Sequence, residues 1–329
     1  MANDKHYPWT HPALEPAFRA KADLELSVPS EDGTRLHVQV DLPDGWQDKP
    51  TVVLSHGYCL TLQTWSLQRA ALRAAGYRVV LWDQRGHGRS DRLTREHVSI
   101  DALGADLGAV IESAAPTGSL VLVGHSMGGM ATLALSRRNP ELIRERVGGV
   151  ALVATSAGGS GLVSIGFGKL FDKTVVKAGP GLLERVNRVG EITARVRRWG
   201  RFIEEGGVAI WGFGDRPDHR YVRLTSDMIR ETDLATVAYI LPHLDDLDER
   251  DGLPALRGRE VLVLNGFKDR MTPPSHSDAI VRELPSAEHA VIPKVGHMIM
   301  LESPREVSAQ LLDLAGRVAP FHPQPLPVS

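Results

Sequence analysis

A single cysteine, Cys59, is present among 329 residues, so no disulfide can close within the chain and nothing points to an oxidising compartment. A basic surplus is missing as well: the formal net charge is -2, whereas surfaces that grip phosphate backbones carry an excess of lysine and arginine. Nucleic acid is therefore not an expected partner. No apolar run approaches the ~20 residues needed to span a bilayer. Met1 to Ala20 mixes Asp4, Lys5 and His6 with three prolines, the pattern of neither a signal peptide nor an anchor. The chain reads as cytoplasmic, without an integral membrane segment. His-Glu-x-x-His, paired Cys-x-x-Cys and clustered carboxylate–histidine spacings are lacking, so no metal is expected. Gly86-His87-Gly88 is only a fragment of a dinucleotide fingerprint, without its later glycine, so no nicotinamide cofactor is expected either.

What is present is an ordinary globular mixture, with 42% apolar and 24% charged residues, enough to bury a large core. Ala22–Pro29 and Thr34–Leu42 read as a hairpin turning through Ser30-Glu31-Asp32-Gly33. Short apolar strands then alternate with helical segments: Thr51–Ser55, Arg78–Trp82, Leu120–Val123, Val150–Val153, Val261–Leu264 and His289–Ile292. That alternation predicts an α/β fold, a mostly parallel eight-stranded sheet with helices on both faces. Leu67–Ala75 stops at Gly76, Ile100–Ala114 near Pro116, and Met127–Arg138 before Pro140.

From Ala157 to Arg257 strand signals vanish. Leu182, Val186, Val189, Ile192, Val196, Trp199 and Ile203 recur at three- and four-residue steps, one apolar helix face, and Ser226–Leu241 reads as a second helix ended by Pro242. The organisation expected is a lead-in (1–20), a core (21–156 and 258–319), an inserted helical cap (157–257) and a Pro-rich tail (320–329).

The most informative stretch is Leu120-Val121-Leu122-Val123-Gly124-His125-Ser126-Met127-Gly128-Gly129, an apolar strand running through Gly-x-Ser-x-Gly into a helix. So tight a turn strains the backbone at Ser126, with Gly124 and Gly128 removing side chains that would collide. It also aims the Met127 N–H at a substrate oxygen gaining negative charge. The competing reading is a glycine-rich turn whose serine merely caps a helix. A serine hydroxyl needs a base, and the base an orienting carboxylate. Of 13 histidines, His297 in Val295-Gly296-His297-Met298 follows the last strand, while the rivals His276 and His289 fall at a helix start and in a strand. Asp269 follows the strand Val261–Leu264 in a loop; its competing roles are an Asx-turn or an ion pair with Arg270. Asp245, Asp246 and Asp248 are rival acids that look like an acidic helix end.

At this point the chain resembles the α/β-hydrolase superfamily. Five motifs stand in order: Ser55-His56-Gly57-Tyr58, Trp82 to Ser90, the Ser126 turn, Asn265 to Asp269, and Gly296-His297. The resemblance implies a Ser126–Asp269–His297 triad and an oxyanion hole made by the Tyr58 and Met127 N–H groups. It makes Asp83–Ser90 a structural loop, held by glycines and charge pairing and given no chemistry. Serine at the elbow, where epoxide hydrolases and haloalkane dehalogenases carry aspartate, implies acyl transfer. Gly-His-Ser-Met-Gly-Gly with a cap looks most like lipase, lysophospholipase and carboxylesterase relatives acting on a small, partly hydrophobic ester. Carbon–carbon hydrolases, cofactor-free haloperoxidases and lyases share the serine pattern and stay open, as does a non-catalytic binding module. Among other groups, Cys59 is expected to be buried packing, Arg195, Arg197, Arg198 and Arg201 a solvated helix face, and Met298 and Met300 either pocket lining or core.

Overall fold

The computed structural model describes residues 16–158 and 205–319. The cap stripe from Leu182 to Ile203, its arginines and the tail 320–329 lie outside the described residues. Eight strands form one sheet: β1 (Leu24–Pro29), β2 (Arg35–Asp41), β3 (Thr51–Ser55), β4 (Val79–Trp82), β5 (Leu120–His125), β6 (Val147–Val153), β7 (Glu260–Gly266) and β8 (Glu288–Ile292). Their order is β1-β2-β4-β3-β5-β6-β7-β8. The hairpin β1–β2 joins β4 antiparallel, and every later pairing is parallel. From β3 the chain crosses to β4 on one side and then returns to β5 on the other, so the sheet's winding reverses between β3 and β5. Open α/β sheets bind ligands beyond the carboxyl ends of strands at such a reversal.

Successive residues of each central strand serve opposite faces. Val52, Leu54, Val121, Val123, Leu262 and Leu264 pack with Leu72 of α1 (Ser66–Ala74) and Leu311 of α9 (Pro304–Arg317). Val53, Leu120, Leu122, Val150, Leu152 and Val263 pack on the other face with Leu107 and Ile111 of α2 (Ile100–Ala114) and Leu133 of α3 (Met127–Arg138). Both faces are covered, which is why these strands are continuous apolar runs instead of alternating ones. Each such side chain contributes about 1.5–3 kcal/mol on burial.

Helix boundaries follow local chemistry. Ser99 caps α2 by accepting the Ala102 N–H at 3.0 Å, and Gly76, at φ 80°, turns the chain out of α1. One short helix was not expected, and one expected helix is two. Asn139 caps a further short helix, α4 (Pro140–Arg146), with its side chain on the Leu142 amide; Pro140 both stops α3 and starts α4, since proline suits a first turn. The stretch read as one helix over 226–241 is two, α5 (His219–Glu231) and α6 (Leu234–Asp245). Asp233 caps α6 through the Ala235 amide, and Pro242 lies inside α6 instead of ending it. Two further helices, α7 (Pro274–Glu283) and α8 (Ile299–Glu302), flank the loops after β7 and β8. Among the described residues no helix is long and apolar enough to cross a membrane.

The loop 83–90 braces the site end of the sheet. Asp83 is fully buried, accepting the Leu62 N–H at 2.9 Å and the Arg89 N–H at 3.0 Å; a Cβ on Gly88 would strike its carboxylate at 2.3 Å. Arg85 reaches Asp106 on α2 through Nε and Nη2, both at 2.6 Å, and Asp32 at 2.8 Å. His87 lies in the same loop, its Nδ1 on the Arg85 carbonyl and its Nε2 accepting the Cys59 N–H at 3.0 Å. His56 accepts the Gln84 N–H through Nε2 at 2.9 Å.

Removing one member of a buried pair strands its partner's charge. Asp106→Ala should therefore cost about 3–5 kcal/mol in urea unfolding; a loss below about 1 kcal/mol would show that Asp32 alone satisfies Arg85. The buried imidazoles set a pH dependence. Burial, with neighbouring His56 adding to it, drives His87 down to about 3, and burial likewise lowers His56. Below about 6.5 the unfolded chain binds protons that the folded chain refuses, so stability falls as pH drops from there, for His87 by about 1.4 kcal/mol per pH unit toward about 3, and for His56 in the same direction. His87→Gln, whose carboxamide oxygen can still accept the Cys59 amide, should lose less stability than wild type between about pH 7 and about pH 5. Parallel losses in the two proteins would contradict this.

Candidate active site

The site grows out of the turn between β5 and α3. Ser126 stands at φ 52°, ψ -118°, a conformation that costs an L-residue about 1–3 kcal/mol unless its surroundings enforce it. They do. A Cβ on Gly124 would meet the Gly128 carbonyl at 2.4 Å, and one on Gly128 would meet the Ser55 and His56 carbonyls at 2.4 and 2.7 Å. Backbone thus packs on backbone where strand, turn and helix cross. The Ser126 N–H donates to Val153 at 3.0 Å, and the Ser126 carbonyl accepts the Thr155 hydroxyl at 2.6 Å.

The loop after β3 lies against this turn: a Cβ on Gly57 would touch Ser126 Cβ and the His125 ring at 3.1 and 2.7 Å. Cys59 turns the loop back at φ 58°, and His87 holds its amide. Beside it, the Tyr58 N–H donates to no described residue, nor does the Met127 N–H at the start of α3. The Tyr58 hydroxyl bonds the Val237 carbonyl of α6 at 2.6 Å, so this aromatic joins the loop to the segment above it. Burial pushes the Cys59 thiol up to about 12, which keeps it protonated and suits the packing role expected of it.

Two more loops arrive from β7 and β8. His297 Nδ1 lies 2.9 Å from Asp269 Oδ2, and both residues are buried. The other carboxylate oxygen accepts the Met271 and Thr272 amides, both at 2.9 Å. Asp269 therefore makes the Asx-turn offered as its competing role while also holding the imidazole. Arg270 goes to the Ile210 carbonyl, not to Asp269. The rival histidines are occupied elsewhere, His276 Nδ1 on the Ser156 hydroxyl at 2.7 Å and His289 Nε2 on Asn265 Oδ1 at 3.0 Å. Of the rival acids, Asp245 and Asp246 stand at the end of α6, and Asp248 pairs with Arg250 at 2.6 Å.

Several contributors were not singled out from the sequence. Thr272 donates to Asp269 Oδ2 at 2.9 Å and lies 3.3 Å from His297 Nδ1, a carboxylate-to-hydroxyl step three residues along one turn that a motif reading could have flagged. His125, inside the Gly-x-Ser-x-Gly pattern itself, stacks on the His297 ring at 4.7 Å between centroids and places Nε2 3.0 Å from the His297 carbonyl. Burial holds His125 well below its ordinary pKa, so it is neutral and Nε2 carries the proton it donates. His87, in the segment expected to be structural, braces the Tyr58 loop by accepting the Cys59 amide, and His56, in the loop expected to supply an oxyanion donor, accepts the Gln84 amide. Met298 and Met300 are buried in the core cluster on that side of the sheet.

An apolar wall adjoins the turn, where Met127, Met130 and Ala134 of α3 pack with Ile240 and Leu244 of α6, and Tyr58 packs against them. Among the described residues no cluster of histidine, cysteine or carboxylate side chains could hold a metal.

Residues 52–310 match the family described as "Alpha/beta hydrolase family". Over 155 residues the chain is 34% identical to epoxide hydrolase B of Mycobacterium tuberculosis (strain ATCC 25618 / H37Rv), covering 45% of this chain and 42% of that protein. It is 27% identical over 269 residues to the dihydrolipoyllysine-residue acetyltransferase component of the acetoin cleaving system of Pseudomonas putida, covering 82% and 64%. The chain thus spans less than two thirds of the length of these curated relatives. Among solved structures, a thermophilic esterase from Thermogutta terrifontis superposes with a TM-score of 0.68 at 25% identity, over 88% of this chain and 97% of that one. A bromoperoxidase from Bacillus anthracis gives 0.69 at 19% identity, over 88% and 99%, a likeness of fold alone. With the turn at Ser126 and a family match over residues 52–310 agreeing, the chain belongs to the alpha/beta hydrolase family.

Proposed function

We propose that this protein is a serine hydrolase that cleaves the carboxylic ester of a small, partly hydrophobic substrate through an acyl-enzyme. In this reading Ser126 is the nucleophile, His297 the general base and Asp269 the carboxylate that fixes the imidazole tautomer, with Nδ1–H on the acid and Nε2 free for the serine proton. His297 takes the proton as Ser126 Oγ attacks the ester carbonyl. The Tyr58 and Met127 N–H groups receive the oxyanion, and His297 then protonates the departing alkoxide. Water, deprotonated by the same imidazole, releases the acid and restores the serine.

The observation that carries the reading is the 2.9 Å contact between His297 and Asp269, taken with the strained turn at Ser126 and the Tyr58 and Met127 amides, which donate to no described residue. Each aligned amide contributes on the order of 3 kcal/mol to such a transition state. The apolar wall of α3 and α6 favours a hydrophobic acyl or alcohol group, and the stretch 157–257 is the inserted cap of this reading. Serine at position 126 separates this chemistry from that of aspartate-dependent epoxide opening, despite the likeness to epoxide hydrolase B. A single buried thiol suits the reducing cytosol.

The test is a panel of p-nitrophenyl esters, thioesters and amides assayed with wild type and three variants. Ser126→Ala and His297→Ala should each lower kcat by at least about 10³-fold on the best ester, and Asp269→Asn by about 10²–10⁴-fold. Full turnover by Ser126→Ala would point instead to a catalyst that moves protons without a covalent serine intermediate. Failure of wild type on every ester, joined with tight binding of a small molecule, would point to a binding module.

A further inference from the structure

The loop that carries His297 is pinned on its far side by a segment of the chain emerging from the insertion. Residues 205–212 are helical, and the four residues that end this helix and follow it run alongside residues 294–298. The Met298 N–H donates to the Gly212 carbonyl at 2.8 Å, and the Asp215 N–H to the Lys294 carbonyl at 3.0 Å. Side chains cannot enter this contact: a Cβ on Gly214 would sit 1.9 Å from the Lys294 carbonyl oxygen, and one on Gly296 2.5 Å from the Phe213 carbonyl carbon. On the other flank, a Cβ on Gly266 would meet the Val295 and Gly296 carbonyls at 2.3 and 2.4 Å. The loop is thus held between two backbones.

Two amides in this contact find no carbonyl. One carboxylate serves both: Glu302 Oε2 accepts the Gly214 N–H at 2.7 Å, and Oε1 the Gly296 N–H at 2.8 Å. Glu302 ends α8, five residues beyond His297, so the short helix folds its last side chain back onto the loop that precedes it. Burial works against the charge and raises the Glu302 pKa, yet only an acceptor with two oxygens satisfies both donors. A carboxamide has one acceptor oxygen, and its N–H2 would face an amide N–H.

We propose that Glu302 is a positioning residue for the hydrolysis: its carboxylate clasps Gly214 to Gly296 and fixes the imidazole of His297 against Ser126. This rests on the reading of His297 as the general base. The clasp also makes the placement of the base depend on the segment leaving the insertion. Loosening the clasp lets the loop shift, and a misplacement of about 1 Å costs a reaction about 100-fold.

The test compares wild type with Glu302→Gln and Gly214→Ala, the second opening the clasp from the insertion side without touching the carboxylate. A fluorophosphonate gives two readouts, the end-point stoichiometry that counts folded, competent sites and the labelling rate per site; p-nitrophenyl butyrate gives kcat and KM. Expected for both variants are full end-point stoichiometry, a labelling rate and kcat lower by about 10-fold or more, and KM changed by less than about 2-fold. A wild-type rate per site in Glu302→Gln would overturn the proposal, even with stoichiometry reduced, because that pattern belongs to a group that only supports folding. If Glu302→Gln does not fold, Gly214→Ala decides by the same criterion. If wild type itself neither labels nor turns over, the serine-hydrolase reading is what has failed.

Discussion

Backbone packed on backbone around Ser126 is the constraint on which the site depends. The residue is held at φ 52°, ψ -118° by neighbours that leave no room to relax, since the Gly124 and Gly128 positions lie against carbonyls of the helix and of β3. The stored strain, about 1–3 kcal/mol, is offset by the apolar strands on either side, whose side chains are almost wholly buried. One consequence is placement of the serine at the carboxyl edge of the sheet, where it stays buried. A second is that α3 begins immediately, with the Met127 amide, like that of Tyr58, donating to no described residue. Strain, the placement of the proposed nucleophile and the proposed oxyanion donors therefore share one geometric cause.

Around that turn the protein surrounds the serine with groups whose charge states are set by burial. His56, His87 and His125 are all pushed toward the neutral form, so they act as fixed donors and acceptors: His87 on the Cys59 amide, His56 on the Gln84 amide, His125 on the His297 carbonyl. Asp83, inside the loop 83–90, ties it to the Leu62 amide, and Asp106 holds it from α2 through Arg85. This framework leaves His297 as the imidazole hydrogen-bonded to a carboxylate at the edge of the sheet, with Asp269 itself fixed by two amides and a hydroxyl. Local order of this kind is what the proposed triad needs in order to hold its geometry within about 0.5 Å.

Much of this was legible in the sequence, and the reasons are physical. The central strands are short, apolar and bounded by turn residues, because burial on two faces demands it, and were recognisable from that pattern. The β1–β2 hairpin was recognisable from its turn instead, and β8 is partly exposed. The pairing of Asp269 with His297 could be anticipated because both loops follow parallel strands and so emerge at the same edge. Helix boundaries were less legible where proline was ambiguous: Pro140 starts α4 as well as ending α3, and Pro242 is accommodated inside α6. The contributions of His125 and Glu302 were invisible for another reason. They act through hydrogen bonds to backbone, which leave no periodicity behind, and Glu302 reaches a residue 88 positions away.

The account is tested most directly by a crystal structure of the protein after reaction with a phosphonate ester, which traps the tetrahedral geometry of acyl transfer. It predicts a covalent bond from phosphorus to Ser126 Oγ, with the phosphoryl oxygen within hydrogen-bonding distance of the Tyr58 and Met127 amides and His297 Nε2 facing the serine oxygen. A phosphonate bound to another residue, or an adduct at Ser126 whose phosphoryl oxygen points away from both amides, would contradict it.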